Sequence, residues 1–144
     1  MSTWPVHYLD IRAFAYATEI DARVREAVQT VIDDAGPVEA VDSSGHGGAP
    51  ITLLQARIQR TRAIDTVITG LEGVVGLSPD ALRDRITADG ELYLSVDKQA
   101  AYEGAIEDGD GIIIRSKLEA YPATRENTVA AAAPLIEFLV SRPT

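Results

Sequence analysis

The feature that most constrains this chain is a strict two-residue alternation running from Val6 to Ala17. One set is His7, Leu9, Ile11, Ala13 and Ala15; the other is Tyr8, Asp10, Arg12, Phe14 and Tyr16. Successive side chains of a strand point to opposite faces, so this spacing predicts a long β-strand with two unlike faces. The first set needs cover. The aromatic set fits either a second helix layer or an open stacking platform; Phe14 is assigned to the core and the tyrosines are left open.

Helices to cover the sheet follow from the 3.6-residue spacing. Thr18 is placed as a helix cap with Asp21 reaching back, as in a capping box. Ile20, Val24, Ala27, Val28, Val31 and Ile32 form the buried stripe, and Gly36-Pro37 ends the helix. Val38 to Val41 reads as a short strand before a loop at 42–49. Ile51 to Arg60 matches both periods; a strand is preferred because Pro50 resets the chain and a better helix starts near Ala63. That helix buries Ile64, Val67, Ile68, Leu71, Val74 and Val75. Ser78-Pro79 is a second helix start.

Asp89-Gly90 turns the chain into a strand, Glu91 to Asp97, with Leu92, Leu94 and Val96 on one face. A helical turn follows over 98–102, with Asp97 as its cap. The next strand runs from Ile112 to Tyr121, Ile112, Ile114 and Leu118 inward and Arg115, Lys117 and Glu119 opposite. Pro134 is expected to kink or split the last helix, at about 3 kcal/mol in a regular interior. The tally predicts one α+β domain over 1–144: a single layer of mostly antiparallel sheet with helices packed on one face.

Composition narrows the function. The chain has 144 residues and 46% hydrophobic content, enough for a core and too apolar for disorder. No apolar run approaches the roughly 20 residues of a membrane span, and no secretory leader is visible. Zero cysteines remove disulfides and thiolate metal sites, and two histidines cannot build a histidine-rich centre. A cytoplasmic protein is expected, with no metal and no cofactor. Net charge is -9, and eleven of the thirteen cations are arginine. Acidic, lysine-poor composition fits a salt-loving archaeon, because concentrated salt screens self-repulsion over a Debye length of about 3 Å at 1 M. Acidity then does not exclude a nucleic-acid partner.

Scarce cations become informative positions. Ser43-Ser44-Gly45-His46-Gly47-Gly48 offers backbone N–H groups and hydroxyls to an anion. It lacks the Walker Gly-Lys-Ser/Thr ending and the dinucleotide glycine spacing. Arg57, Arg60 and Arg62 gather where the third strand exits, and arginine holds phosphate bidentately. Lys98, Gln99 and Tyr102 place a cation, an amide and a ring within one turn, the set that phosphate, base edge and base face require. Arg115 and Lys117, followed by Arg125, form a second cationic surface. Solvated edges and ordinary punctuation explain each motif equally well in isolation. Only His46 beside Ser43 and Ser44 imitates a nucleophile with its base, and no orienting group or oxyanion site accompanies it.

Four blocks together resemble a known family. They are His7-Tyr8-Leu9-Asp10-Ile11-Arg12-Ala13-Phe14, Gly45-His46-Gly47-Gly48-Ala49-Pro50-Ile51-Thr52-Leu53-Leu54, Leu92-Tyr93-Leu94-Ser95-Val96-Asp97-Lys98-Gln99-Ala100-Ala101-Tyr102 and Lys117-Leu118-Glu119-Ala120-Tyr121-Pro122-Ala123. In this order they resemble an archaeal family of predicted RNA-binding proteins and predicted exosome subunits, DUF54. The resemblance implies an α+β domain similar to ribosomal protein L5, a link to archaeal RNA processing, and no catalytic residues.

The expected function is non-catalytic RNA binding, accessory to the archaeal exosome or related RNA processing. His46 and Gly47 would meet the RNA backbone; Arg57, Arg60, Lys98, Arg115, Lys117 and Arg125 would hold phosphate; Gln99 would contact a base edge and Tyr102 a base face. Two alternatives stand beside it: an acidic docking module of an RNA-processing complex with no RNA contact, and a small phosphate-ester enzyme using the His46 loop.

Overall fold

In the computed structural model, residues 4–16, 19–44 and 50–140 are described. The elements follow in the order β1 (Val6–Ala15), α1 (Asp21–Ile32), β2 (Glu39–Ser44), β3 (Pro50–Ile58), α2 (Thr61–Gly70), α3 (Pro79–Arg83), β4 (Glu91–Asp97), α4 (Lys98–Tyr102), β5 (Gly111–Leu118) and α5 (Arg125–Leu139). Every strand pairing is antiparallel, and the strands lie side by side as β2-β3-β1-β5-β4. The α+β architecture expected from the spacing is the one observed.

The alternation of β1 sets the two faces. Leu9, Ile11, Ala13 and Ala15 are buried, as are Leu54, Ala56 and Ile58 of β3, Ile112 and Ile114 of β5, and Leu92, Leu94 and Val96 of β4. Ile11 sits opposite Ala56 on one side and Ile114 on the other, with Ile11 and Ile114 both 0% exposed. Burying an isoleucine this completely contributes about 1.5–3 kcal/mol relative to leaving it in water. Helix α1 presents Val24, Ala27, Val28, Val31 and Ile32 to this face, and α5 adds Leu135, Ile136 and Leu139. Among the described residues no helix covers the opposite face. Phe14, assigned to the core, stands there 39% exposed. The assignment failed because it supposed a second helix layer over this face, and no helix among the described residues supplies one.

Other expectations shift locally. A register irregularity between Val6 and Tyr8 turns Val6 into the core and His7 out, where its Nδ1 lies 2.9 Å from Glu119 Oε1. Thr18 lies outside the described residues, and α1 begins at Asp21 with Ile20 in the cap position and no side-chain cap. The Asp21 carboxylate instead accepts from the Thr52 hydroxyl at 3.0 Å. Helix α1 ends at Ile32, where Asp33 takes a φ of 53°, before Gly36-Pro37 is reached. Helix α2 ends at Gly70, so Val74 and Val75 belong to the connection beyond it, Val75 bridging to Val140. Strand β5 stops at Leu118, leaving Tyr121 91% exposed. Helix α5 runs through Pro134 unbroken. Pro134 and Ala130 are both exposed, so water can replace the hydrogen bond that proline removes.

The caps read from sequence hold at two helices. Ser78 Oγ accepts from Ala81 N at 3.1 Å and Asp97 Oδ2 from Ala100 N at 2.8 Å. A third cap, Thr124, accepts from Asn127 N at 3.1 Å at the head of α5. Thr124→Ala is expected to cost about 1 kcal/mol, read as a lower urea midpoint with an unchanged slope.

Candidate nucleic-acid interface

The uncovered face is built by the outward parity of four strands. Strand β1 contributes Tyr8, Asp10, Arg12 and Phe14, with Tyr16 just beyond its end; β3 adds Gln55 and Arg57; β5 adds Ile113, Arg115 and Lys117; β4 adds Glu91, Tyr93 and Ser95. The register aligns them in rows. Asp10 stands opposite both Arg57 and Arg115, and Arg115 opposite Tyr93. Arg12 stands opposite Gln55 and Ile113, and Phe14 opposite Leu53.

Asp10 organises the first of these rows. Arg57 donates Nε–H to Oδ1 and Nη2–H to Oδ2, each at 2.7 Å, and Arg115 Nη2 donates to Oδ2 as well. Arg115 Nη1 also lies 3.3 Å from Glu91 Oε2. Burial pushes the Asp10 carboxyl upward, but the hydrogen bonds and charges of the two arginines outweigh it and hold its pKa below the ordinary value. The same bonds raise both guanidiniums. The Tyr8 ring supports the pair, its centroid 4.2 Å from Arg57 Cζ and 5.8 Å from Arg115 Cζ. With Glu91 from the neighbouring row, two carboxylates and two guanidiniums make this cluster nearly neutral.

The far end of the face is aromatic. Phe14 and Tyr16 have ring centroids 6.3 Å apart, tilted by 32°. With Tyr93 and Ile113 they line a groove of about 400 Å³, together with Lys98 and Arg85. Lys98 is tied down there: its Nζ lies 2.7 Å from Glu19 Oε2 and donates to the Phe14 carbonyl at 3.1 Å. Burial pushes the Glu19 carboxyl up, and the bond from Lys98 more than reverses this, so its pKa is lowered.

The ten residues singled out from sequence do not form one patch. Arg57, Arg115 and Lys117 share the open face, and Lys98 stands at its aromatic end. Lys117 Nζ donates to the Asp89 carbonyl. Gln99 donates to Glu103 at 3.2 Å, and Tyr102 sits under Arg23 of α1 at 5.6 Å, both in α4. Arg60 occupies the cap position of α2 and is exposed. Arg125 Nε donates to the Ile86 carbonyl at 3.2 Å from the first turn of α5. His46 and Gly47 lie outside the described residues.

Sequence reasoning missed Arg85, Tyr93 and Ile113 and did not count Arg12 among the phosphate binders. Ile113 was findable: in Ile112-Ile113-Ile114 the middle residue of a strand must point away from the side its neighbours bury. Tyr93 was findable by the same parity, between Leu92 and Leu94. Arg85 follows α3 in an irregular stretch, with no period to mark it.

Comparison with known proteins accords with this architecture. A family model described as RNA binding matches residues 8–118. The RNA-binding protein PAB1135 of Pyrococcus abyssi is 28% identical over 144 residues, spanning 91% of this chain and 94% of that protein. A solved DUF54 protein from Methanothermobacter thermautotrophicus superposes with a TM-score of 0.77 at 36% identity, covering 92% of this chain and 98% of its own. Another solved DUF54 protein, from Archaeglobus fulgidus, gives 0.78 at 26% identity, covering 90% and 99%. The chain belongs to this RNA-binding family, DUF54, as the blocks in its sequence implied.

Proposed function

We propose that this protein binds RNA on the uncovered face of its sheet and performs no chemistry on it. The observation that carries the reading is the face itself: aromatic rings and arginines in register, with no helix over them among the described residues, in a chain of net charge -9 that belongs to an RNA-binding family. An open antiparallel face with outward aromatics and cations offers base stacking and phosphate contact together. The accessory role beside the archaeal exosome or RNA processing, in the cytoplasm of a salt-loving archaeon, rests on the sequence resemblance and the acidic composition; the relatives' sources support its archaeal setting alone.

Among the described residues the side chains of Arg12 and Arg57 stand at a hollow of about 330 Å³ beside Gln55 and Glu39. Arg12 makes no ion pair or side-chain hydrogen bond among the described residues, whereas Arg57 is held by Asp10. Phosphate contact is therefore assigned first to Arg12. Its reversal, Arg12→Glu, is expected to weaken binding of labelled RNA at least tenfold in molar potassium chloride, with an unchanged far-UV circular dichroism spectrum. Absence of binding by the wild-type protein to both single-stranded and structured RNA would remove the reading in favour of an acidic docking module.

A further inference from the structure

We propose that the groove lined by Phe14, Tyr16, Tyr93 and Ile113 takes an unpaired nucleobase, and that Arg85 at its rim holds the adjoining phosphate. The inference rests on the RNA-binding reading and narrows its ligand to single-stranded RNA.

Four observations carry it. The four lining side chains are 39%, 52%, 41% and 45% exposed in that order, a degree of apolar exposure that a covered sheet face does not keep. The groove holds about 400 Å³, room for a flat ring and its sugar. The cation on its floor, Lys98, is already matched by Glu19, and the Asp110 carboxylate also lines the wall, so a neutral base suits the floor better than a bare phosphate. Arg85 supplies the missing charge: its guanidinium makes no ion pair or hydrogen bond among the described residues, and it borders this groove and the adjoining hollow of about 270 Å³.

Duplex RNA does not fit this arrangement. Bases stacked in an A-form helix expose only their edges, while the groove offers ring faces to a ring face. Stacking also suits a salty cytoplasm, since counterion release falls away as salt rises while ring contact does not. A strand held electrostatically by Arg12 and Arg85 alone should show a log–log salt slope near -1.4, from about -0.7 per phosphate neutralised on a single strand. A protein partner would also fit the apolar floor; membership of an RNA-binding family favours the base.

The test is fluorescence anisotropy with a labelled ten-nucleotide RNA, alone and annealed to its complement, in molar potassium chloride. The single strand should bind at least tenfold tighter than the duplex. Phe14→Ala and Tyr93→Ala should each weaken it about 5- to 150-fold, the range for losing one stacked ring, and Arg85→Gln should weaken it and flatten the salt slope. All three sites are exposed, and circular dichroism with sedimentation checks each variant's fold and state. Duplex preference, or unchanged affinity in the three variants, overturns the groove while RNA binding stands. Failure of the wild type to bind either RNA overturns both readings; a dimer that Phe14→Ala or Tyr93→Ala dissociates would then assign the face to a second copy of this chain.

Discussion

Asp10→Ala should lower the stability of the protein by about 2–4 kcal/mol at pH 7, a fall in Tm on the order of 10 °C for a chain of this size. Asp10 is 6% exposed on the central strand and joins the two flanking strands through Arg57 and Arg115. Removing it leaves two guanidiniums facing each other across β1 with no anion between them. The full cost of orphaning a buried charge is about 3–5 kcal/mol. Arg57 remains 47% exposed and Arg115 27%, so water relieves part of it.

The pH dependence gives the prediction its sharper form. The folded-state pKa of Asp10 is depressed, so its stabilising share is fully present above the unfolded-state value of about 3.9. It is lost as pH falls from there through the lower folded value. Wild type and Asp10→Ala should therefore differ most at neutral pH and converge below about pH 4. Thermal melts from pH 7 to pH 3 check this, and a gap that stays constant with pH would show that Asp10 acts through packing alone.

Gly111→Ala should cost about 2–4 kcal/mol by a different route. Gly111 has a φ of 112°, and a Cβ placed there would sit 2.6 Å from Lys98 Cβ. Lys98 cannot move aside freely: its N–H donates to the Asp110 carbonyl at 3.0 Å, and its ammonium holds both Glu19 and the end of β1. Backbone strain of about 1–3 kcal/mol adds to an overpacking penalty of similar size. Gly104 offers the control, with a φ of 93° and nothing within 4 Å of its virtual Cβ. Gly104→Ala should show the strain without the clash. Equal urea midpoints for the two variants would refute the clash with Lys98.

What could be read from sequence follows the physics of parity. In β1 the order of side chains separated two unlike faces but not whether the aromatic one would stay open, and Asp97 and Ser78 announced their caps. Phe14 was given to the core on residue type, although its parity put it with the outward set. His7 was misplaced because an irregularity in register leaves no mark in a single strand's sequence. The site was less legible than the fold. Arg57 and Arg115 were recognisable as cations, but their shared attachment to Asp10 depends on the strand order β3-β1-β5, which joins segments far apart in the chain. Lys98 illustrates the same limit: its rarity drew notice, while its bonds to Glu19 and the Phe14 carbonyl exist only once β1 and β4 share a sheet.

That strand order also bears on how the protein is made. Of the described strands β1 is made first, yet its two neighbours are β3 and β5. After Ile58 is synthesised, roughly 60 residues and several seconds of translation separate β1 from its second partner at about 5–20 residues per second. Throughout that interval the nascent chain carries an unpaired edge lined by Leu9, Ile11 and Ala13, a template for any extended segment nearby. The central strand of the finished sheet can thus have both edges paired only once β5, ending at Leu118, has been made.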